Sequence, residues 1–346
     1  MNWLKIHEKG IKRAAVGILI LAAAAFLAVT VVLLRKRKAI EAEIAERQYG
    51  QMEDSNVLGS DVIEYQGKAY RRNTYVKAVP CLGVDRDGAM TEETTPGFGG
   101  QADGIFLVAQ DTARNSLKVL MIPRDTMTEI TMTDLSGNVL GKDIHHLTLA
   151  YTYGNGRETS CEYMREAVSE LLGGLEIDYY IAANTEVISI LNDAVGGVTV
   201  TIPTDGMEKS DPEFIQGATV TLTGEQAEKF VRYRDTGKDH SALYRMDQEE
   251  EYIMGFFQAV KERSRTDSNI VPALFEQIED YMVTDMAKDQ YLKLAMDALE
   301  TESLGEENFY TVPGSGVTTA RYDEFYADEE ALLPLILEMF YRETGQ

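Results

Sequence analysis

Residues 105–122, IFLVAQDTARNSLKVLMI, decide the fold class of this chain. Two apolar runs, 105–109 and 117–122, flank a polar link, 110–116, of the kind found in hairpins. Both runs are nearly continuous in Ile, Leu and Val, which is typical of strands that are buried on both faces. The stretch therefore predicts two neighbouring strands at the centre of a sheet with other elements packed on each side.

On both sides of this stretch, strand patterns alternate with helix patterns. The predicted strands are 76–84, 177–183, 198–202 and 309–312. The predicted helices are 161–172, 186–194, 223–232 with a capping box at its start, and 248–263. This alternation predicts an α/β fold, a three-layer α/β/α sandwich around a mixed central sheet. We find no internal repeat, so residues 76–346 are expected to form one domain.

The N-terminal region predicts a membrane anchor. Residues 14–34 carry no charge, and as a helix these 21 residues span about 31 Å, close to the thickness of a bilayer core. A cleaved signal peptide has a shorter apolar run and a small-residue cleavage site, whereas four basic residues follow directly here. We therefore predict a retained transmembrane helix between a short cytoplasmic tail, 1–13, and a stalk or linker, 35–75. Both flanks are basic, so the positive-inside rule alone does not orient the helix.

The charge of the chain argues against nucleic-acid binding. The formal net charge is −24, yet residues 1–38 hold eight basic residues and one acid. The remaining residues hold 25 basic and 56 acidic side chains, a net charge of −31. Sequence-independent affinity for DNA comes from neutralising phosphates with Lys and Arg. A body this acidic is expected to repel nucleic acid.

The two cysteines indicate no metal site. Cys81 and Cys161 lie 80 positions apart, and neither has a Cys or His nearby at the spacing of zinc ligands. In an oxidising compartment they could form one disulfide, but two buried free thiols are the expected arrangement.

Familiar catalytic motifs are missing from the sequence, which has no HExxH, no GxSxG and no Walker A loop. Arginines and aspartates instead stand where predicted strands and helices begin or end. They are Asp85, Asp103, Arg124, Asp125, Arg232 and Arg234. Taken singly, an Arg beside an Asp is usually a surface ion pair worth about 0–1 kcal/mol. Together, at the rim of an α/β sheet, they occupy the place where such folds bind ligands.

Phosphoryl transfer is the chemistry that uses this mixture of side chains. Arginine forks match phosphate oxygens and stay charged at every relevant pH. Paired carboxylates supply hard oxygen ligands for magnesium on a pyrophosphate. Residue types and spacing alone therefore predict a membrane-anchored α/β domain that binds anions, and nothing more specific.

Several motifs, read in order, extend this interpretation. They are LGVD at 82–85, GQAD at 100–103, KVLMIPRDT at 118–126, HLTLAYTYG at 146–154, IDYY at 177–180, DAVGGVTVTI at 193–202 and LTGEQAEKFVRYR at 222–234. With them, the chain resembles the LytR-CpsA-Psr family of membrane-anchored cell-envelope phosphotransferases. The likeness covers roughly residues 76–263, and it favours a cytoplasmic N-terminus with the main domain outside the membrane.

The resemblance implies roles for particular residues. Asp85 and Asp103 are expected to hold Mg²⁺. Four arginines are expected to grip the pyrophosphate of a polyprenyl-linked substrate: Arg124, Arg232, Arg234 and Arg245. The catalytic set would be Arg124, Asp103 and Arg232. The lipid tail would lie in an apolar tunnel, with 105–109, 187–191, Phe256 and Phe257 as candidate wall residues.

Three departures from the family pattern stand out. Gln101 replaces a phosphate-facing arginine, although it keeps that place in the phosphate-binding set. The common Arg-Gln-Gln is replaced by Gln248-Glu249-Glu250, and the Lys-Leu-Asn stretch by His146-Leu147-Thr148. Each charge-assisted contact that is lost would weaken substrate binding by about 1.5–3 kcal/mol.

The function implied is transfer of a glycopolymer phosphate from a polyprenyl-pyrophosphate carrier to a hydroxyl of peptidoglycan, outside the cell membrane. The lost contacts motivate one alternative, a non-catalytic module that binds or senses the lipid pyrophosphate. A pyrophosphate hydrolase on the same lipids is a second alternative, and it would need no peptidoglycan acceptor. A transcriptional attenuator, a label once attached to the family, conflicts with the anchor and with the acidic body.

Overall fold

A computed structural model describes residues 62–235, 237 and 240–344. Within these residues the strands are β1 Ile63–Tyr65, β2 Lys68–Arg72, β3 Val76–Val84, β4 Ala102–Asp111, β5 Ser116–Met121, β6 Met127–Thr133, β7 Val139–His146, β8 Ile181–Asn184, β9 Val198–Thr201, β10 Thr219–Leu222, β11 Met282–Thr284, β12 Phe309–Thr311, β13 Gly314–Thr318, β14 Asp323–Ala327 and β15 Tyr341–Glu343. The predicted tail, membrane helix and most of the predicted linker lie outside the described residues.

The α-helices of the described residues are α1 Thr148–Thr152, α2 Glu158–Leu171, α3 Glu186–Val195, α4 Gly224–Arg232, α5 Ser241–Ser264, α6 Ile270–Ile278, α7 Lys288–Leu299 and α8 Glu329–Phe340. Short 3-10 helices occupy Met207–Lys209, Glu279–Tyr281 and Glu306–Asn308. Within this part of the chain, no helix has both the length and the hydropathy needed to cross a membrane.

The central sheet has six strands in the order β11-β8-β3-β4-β5-β12. It is mixed, because β3 runs parallel to β8 and antiparallel to β4, while β5 runs antiparallel to β4 and parallel to β12. The predicted α/β fold around a mixed sheet is therefore confirmed. The two strands predicted from residues 105–122 are the neighbours β4 and β5.

Alternate residues along the strands enter different cores, because successive side chains of a strand point to opposite faces. Ile105 and Leu107 of β4 pack in a cluster that includes Met164 of α2 and Ile336 of α8. Phe106 lies between them in sequence, and it packs with Met246 of α5 in another cluster. Helices thus cover both faces of the sheet.

Local sequence signals explain where α3 and α4 begin and end. The Thr223 hydroxyl accepts a hydrogen bond from the Gln226 backbone N–H at 3.3 Å, and the Gln226 side chain accepts from the Thr223 N–H at 3.1 Å. This is the predicted capping box. At the end of α3, Gly196 has φ +90°, a left-handed conformation that costs glycine little. Both helices end close to their predicted limits.

The structure corrects several boundaries. Residues 63–72, which the sequence assigns to the linker, form β1 and β2, and β2 pairs with β15. The strand predicted at 177–183 begins only at Ile181, since Asp178 turns its carboxylate toward the backbone N–H of Ala78. The helix predicted at 248–263 begins seven residues earlier, at Ser241. Asp103 lies inside β4, whereas the sequence places it before the strand.

The cysteines are both free thiols. Cys81 lies on β3 and is partly buried, and Cys161 lies on α2 and is fully buried. Burial raises the pKa of Cys81 to about 12, and it raises the pKa of Cys161 as well. Neither thiol is therefore expected to ionise, and so to react, near neutral pH.

Candidate functional site

The candidate site lies at one edge of the central sheet, where β3 and β5 end and β4 begins. Because β4 is antiparallel to both neighbours, its first residues lie beside the last residues of β3 and β5. Asp85 directly follows β3, Asp103 is the second residue of β4, and Arg124 follows β5 after two residues. The order of the strands thus places these three side chains at the same edge.

Arg124 joins the two carboxylates nearest to it. Its Nη1 donates to Oδ1 of Asp103, and its Nε lies 3.4 Å from Oδ1 of Asp125. The side chains of Arg124 and Asp103 are about one-fifth to one-quarter exposed, at 18% and 25%. An ion pair this accessible keeps guanidinium edges available for an anion from solvent.

Arg245 approaches the same aspartate from helix α5. Its Nη1 lies 3.7 Å from Oδ2 of Asp103, and its Nη2 donates to the Asp103 carbonyl oxygen at 2.5 Å. Its Nε donates to Oε1 of Glu249 at 3.0 Å, one turn further along the helix. Because α5 starts at Ser241, Arg245 is a helical residue with a fixed direction, and it is buried.

Arg234 completes the group that we call the arginine cluster, Arg124, Arg234 and Arg245. Its Nε donates to the hydroxyl of Ser241 at 2.7 Å. Burial lowers the pKa of Arg234, and the positive charges of Arg124 and Arg245 lower it further. The three guanidinium groups are therefore close enough to repel one another. A bound polyanion would relieve that repulsion.

Arg232 takes a different partner from the rest. Its Nη2 lies 3.2 Å from Oδ1 of Asp85, and its Nη1 lies 2.8 Å from Oε1 of Glu228. The side chains of Arg232 and Asp85 are 45% and 54% exposed, so this pair lies at the outer rim of the site. The structure thus brings Asp103 together with the arginine cluster and pairs Asp85 with Arg232.

Gln101 contributes backbone to the site. Its carbonyl oxygen accepts a hydrogen bond from the Asp85 N–H at 2.9 Å, which fixes the turn after β3. Its side chain is exposed. The place of Gln101 in the phosphate-binding set stays a prediction from the resemblance.

Gln248 stands where the resemblance leads one to expect the arginine of the common Arg-Gln-Gln. Its side chain is 2% exposed and lies against the end of α4. The amide nitrogen, in the orientation that satisfies its neighbours, donates to the carbonyl oxygens of Phe230 at 3.2 Å and Tyr233 at 3.0 Å. Those carbonyls have no partner within α4. Gln248 therefore stabilises the turn that presents Arg232 and Arg234.

The site also includes Thr204, Ser241 and Tyr244, which no motif in the sequence identifies. A small cleft beside the arginine cluster is lined by Thr204, Tyr233, Arg234, Asp235, Ser241, Tyr244, Arg245 and Gln248. The i,i+4 spacing of Arg245 and Glu249 would predict an ion pair between them on one face of a helix. The predicted helix starts at 248, so it leaves out Arg245, and the pair becomes evident only when α5 begins at Ser241.

The C-terminal hairpin, β13 and β14, also reaches the site. The Phe325 N–H donates to the Asp125 carbonyl oxygen at 2.9 Å, and Asp323 accepts from the His240 N–H at 2.9 Å. His240 has φ +53° and directly precedes α5. The hairpin therefore contacts both the segment that carries Arg124 and the helix that carries Arg245.

Asp85 and Asp103 are the residues whose chemistry suits Mg²⁺. Magnesium usually keeps several waters and binds through one or two carboxylates together with substrate phosphates. Among the described residues, no three His, Cys, Asp or Glu side chains group as a metal site would require. Each of the two aspartates instead faces an arginine, Asp103 facing Arg124 and Asp85 facing Arg232, and their binding of Mg²⁺ stays a prediction.

The candidate wall residues of the lipid tunnel are divided between separate hydrophobic clusters, since Ile105 and Leu107 pack with α2 and α8 whereas Phe106 packs with α5. Val187 packs with Phe275 and Met282, and Phe256 stacks on Tyr252 with ring centroids 6.3 Å apart. Phe106 is only partly buried beside Met246. Their contact with a lipid stays a prediction.

Two glutamates behind the cluster have raised pKa values. Burial raises the pKa of Glu249 to about 7, and the charge of Asp103 adds to this, against Arg245 and Arg124. Burial also raises the pKa of Glu250 to about 7, with added repulsion from neighbouring acids. The neighbours are Asp247, Glu306 and Glu251.

The Glu250 carboxyl predicts a pH-dependent loss of stability. A carboxyl whose pKa is higher in the folded state than its usual 4.5 stabilises the fold at low pH, and this contribution is lost as the pH rises from about 4.5 to about 7. Water screens its partly exposed carboxyl, so we expect a loss of about 1 kcal/mol. Thermal unfolding of Glu250→Gln should show a smaller loss over this range, whereas Glu262→Gln, an exposed acid of the same helix, should follow the wild type. Parallel curves for all three proteins would contradict the prediction.

Comparison with known proteins identifies the family of the chain. A model of the LytR_cpsA_psr family matches residues 42–336. The chain is 28% identical over 258 residues to the polyisoprenyl-teichoic acid–peptidoglycan teichoic acid transferase TagU of Bacillus cereus, covering 73% of this chain and 74% of TagU.

Two solved structures share the fold. The crystal structure of B. subtilis TagV has a TM-score of 0.58 at 20% identity, covering 77% of this chain and 98% of that one. The structure of TagT bound to LI-WTA has a TM-score of 0.58 at 20% identity, covering 77% and 90%. Because the family model matches most of its residues, the chain belongs to the LytR_cpsA_psr family.

Proposed function

We propose that this chain transfers a teichoic-acid-type glycopolymer from a polyprenyl-pyrophosphate carrier to peptidoglycan. The arginine cluster around Asp103 carries the proposal, because three converging guanidinium groups suit a diphosphate. The name of the TagU relative supports it, since that protein is a teichoic acid transferase acting on peptidoglycan. Residues 14–34 would anchor the chain with residues 62–344 outside the membrane.

The chemistry follows from the charges at the site. A peptidoglycan hydroxyl attacks the phosphorus that carries the glycan, and the phosphoanhydride bond to the lipid phosphate breaks. The glycan becomes linked by a phosphodiester, the lipid leaves as a monophosphate, and the hydroxyl proton passes to a carboxylate or to solvent. Arg124 and Arg245 would neutralise charge on the non-bridging oxygens, and Arg232 and Arg234 would hold the second phosphate.

Magnesium, held by Asp85 and Asp103 once substrate phosphates complete its shell, would add a positive charge to the bridging region. The two aspartates would also keep Arg124 and Arg232 in place before substrate binds, as their ion pairs do now. Gln248, which replaces an arginine of the family pattern, would support the turn that presents Arg232 and Arg234 to the substrate.

The test uses the full chain with a lipid-linked glycopolymer that carries a label in the glycan. We expect label to enter peptidoglycan only when peptidoglycan and Mg²⁺ are present, and EDTA to lower the rate by about tenfold or more. Label released in a soluble form without peptidoglycan would identify a hydrolase instead. Tight lipid binding without transfer or release would identify the binding module, and an unchanged rate in EDTA would exclude the magnesium site.

A further inference from the structure

Glu249 places a carboxylate within a site built from arginines. Its side chain is 12% exposed and accepts a hydrogen bond from Nε of Arg245 at 3.0 Å. A Cβ added at Gly104 would lie 3.6 Å from Oε1 of Glu249, so the carboxylate lies against the backbone of β4 next to Asp103. The proposed reaction gives this acid no role.

The contacts of Arg245 indicate what Glu249 does. Nε is held by Glu249, Nη2 by the carbonyl oxygen of Asp103, and Nη1 lies 3.7 Å from the Asp103 carboxylate. A guanidinium that donates hydrogen bonds from both Nε and Nη2 has one orientation. Without an acceptor at Nε, the side chain would lose the anchor on its own helix and would be held only from β4.

The charge of Glu249 has a second effect. An ionised carboxylate next to Arg245 offsets part of the positive charge of the arginine cluster, and it repels a phosphate that approaches Arg245. The charged groups that face Glu249 are Arg245 on its own helix, Asp103 on β4 and Arg124 after β5. Glutamine at this position would keep the acceptor for Nε and remove the charge.

We propose that Glu249 is a positioning residue that orients Arg245 through Nε and, by its negative charge, limits how tightly the arginine cluster holds a diphosphate. This inference rests on the proposed function, since it takes a lipid diphosphate as the ligand. Glu249 would thereby favour release of the lipid phosphate after transfer.

The experiment measures the affinity of the full chain for geranyl diphosphate by calorimetry at pH 8, where the carboxylate is ionised. We expect Glu249→Gln to bind at least about fivefold more tightly than the wild type, because the acceptor remains and the repulsion is gone. We expect Glu249→Ala to bind about tenfold more weakly than Glu249→Gln, because the anchor of Arg245 is lost. Glu262→Gln, with the same loss of charge at an exposed position of α5, should bind like the wild type.

Equal weakening of binding in both Glu249 variants would overturn the proposal, and so would a Glu249→Gln variant that binds no more tightly than the wild type, because its charge would then have no effect. Labelling of Arg245 by phenylglyoxal, followed by mass spectrometry, tests the positioning without any ligand. We expect faster labelling in Glu249→Ala and wild-type labelling in Glu249→Gln. If the wild type binds no geranyl diphosphate, the proposed function fails, and equal labelling of Arg245 in all three proteins would then refute the positioning role separately.

Discussion

Replacing Arg124 by alanine should lower kcat/KM for glycopolymer transfer by about 100-fold or more. Arg124 contacts both Asp103 and Asp125, and its guanidinium lies where β4 and β5 meet at the sheet edge. Removing a preorganised donor of this kind from a site that stabilises transition-state charge typically costs two to three orders of magnitude, about 3–4 kcal/mol. The measurement is the initial rate of label transfer at several lipid concentrations.

Two further variants separate charge from geometry at this position. Arg124→Lys keeps the charge but loses the planar fork, so we expect an intermediate loss of about tenfold. Arg114→Ala removes an arginine from the turn between β4 and β5, where its side chain is 80% exposed beside Asp111, and its rate should stay within twofold of the wild type. Transfer by Arg124→Ala at a rate within threefold of the wild type would show that Arg124 is not part of the catalytic site.

Replacing Gly154 by alanine should destabilise the fold by about 3 kcal/mol. A Cβ at Gly154 would lie 2.4 Å from the backbone N and Cα of Ser160 and from its hydroxyl. Ser160 cannot move away easily, because its hydroxyl accepts the Gly156 N–H at 2.8 Å and its helix is packed in the core. Overpacking against backbone, with no flexible side chain to give way, is among the most costly single changes. Urea unfolding measures this loss directly.

Gly137 supplies the matched control. It has φ +81°, and a Cβ added there would have no atom within 4 Å. Gly137→Ala should therefore cost about 1 kcal/mol, from the left-handed backbone alone. If both variants unfold at the same urea concentration, the close contact between Gly154 and Ser160 is not a constraint on the fold.

The parts of the fold that sequence could predict are those with one dominant physical signal. The nearly continuous apolar runs identified β4 and β5, and the Thr223–Gln226 capping box identified the start of α4. The paired glycines at 196–197 marked the end of α3. In each case a few neighbouring residues determine the local structure, and tertiary contacts only extend it by a few positions.

The hairpins could not be predicted in the same way. β7 is exposed or half-buried along its whole length, so it has no alternation of apolar and polar residues to read. Every residue of β13 is exposed, and its partner β14 is held by contacts with Asp125 and His240, far away in sequence. These strands form because of pairing partners and not because of their own pattern.

The candidate site could be predicted only in part, because some of its residues are placed by local sequence signals and others by long-range contacts. Arg124 and Asp85 follow from predicted strand ends, whereas Asp103, which the sequence places before a strand, lies inside β4. Glu249 and Gln248 acquire their roles only when α5 starts at Ser241, and that start depends on His240 in a left-handed conformation that the Asp323 carboxylate supports. The start of a helix that depends on a long-range contact cannot be predicted from local periodicity.

The pairing of β15 with β2 has a consequence for how the protein is made. Tyr341–Glu343 is the strand that closes the sheet begun by Ile63–Tyr65, and α8, just before it, supplies core residues that pack against β3 and β4. An elongating chain therefore lacks one side of its main core until residues 329–343 have been synthesised. Partners this distant in sequence make closure slow, so we expect the main core to form only after the C-terminal segment has been synthesised.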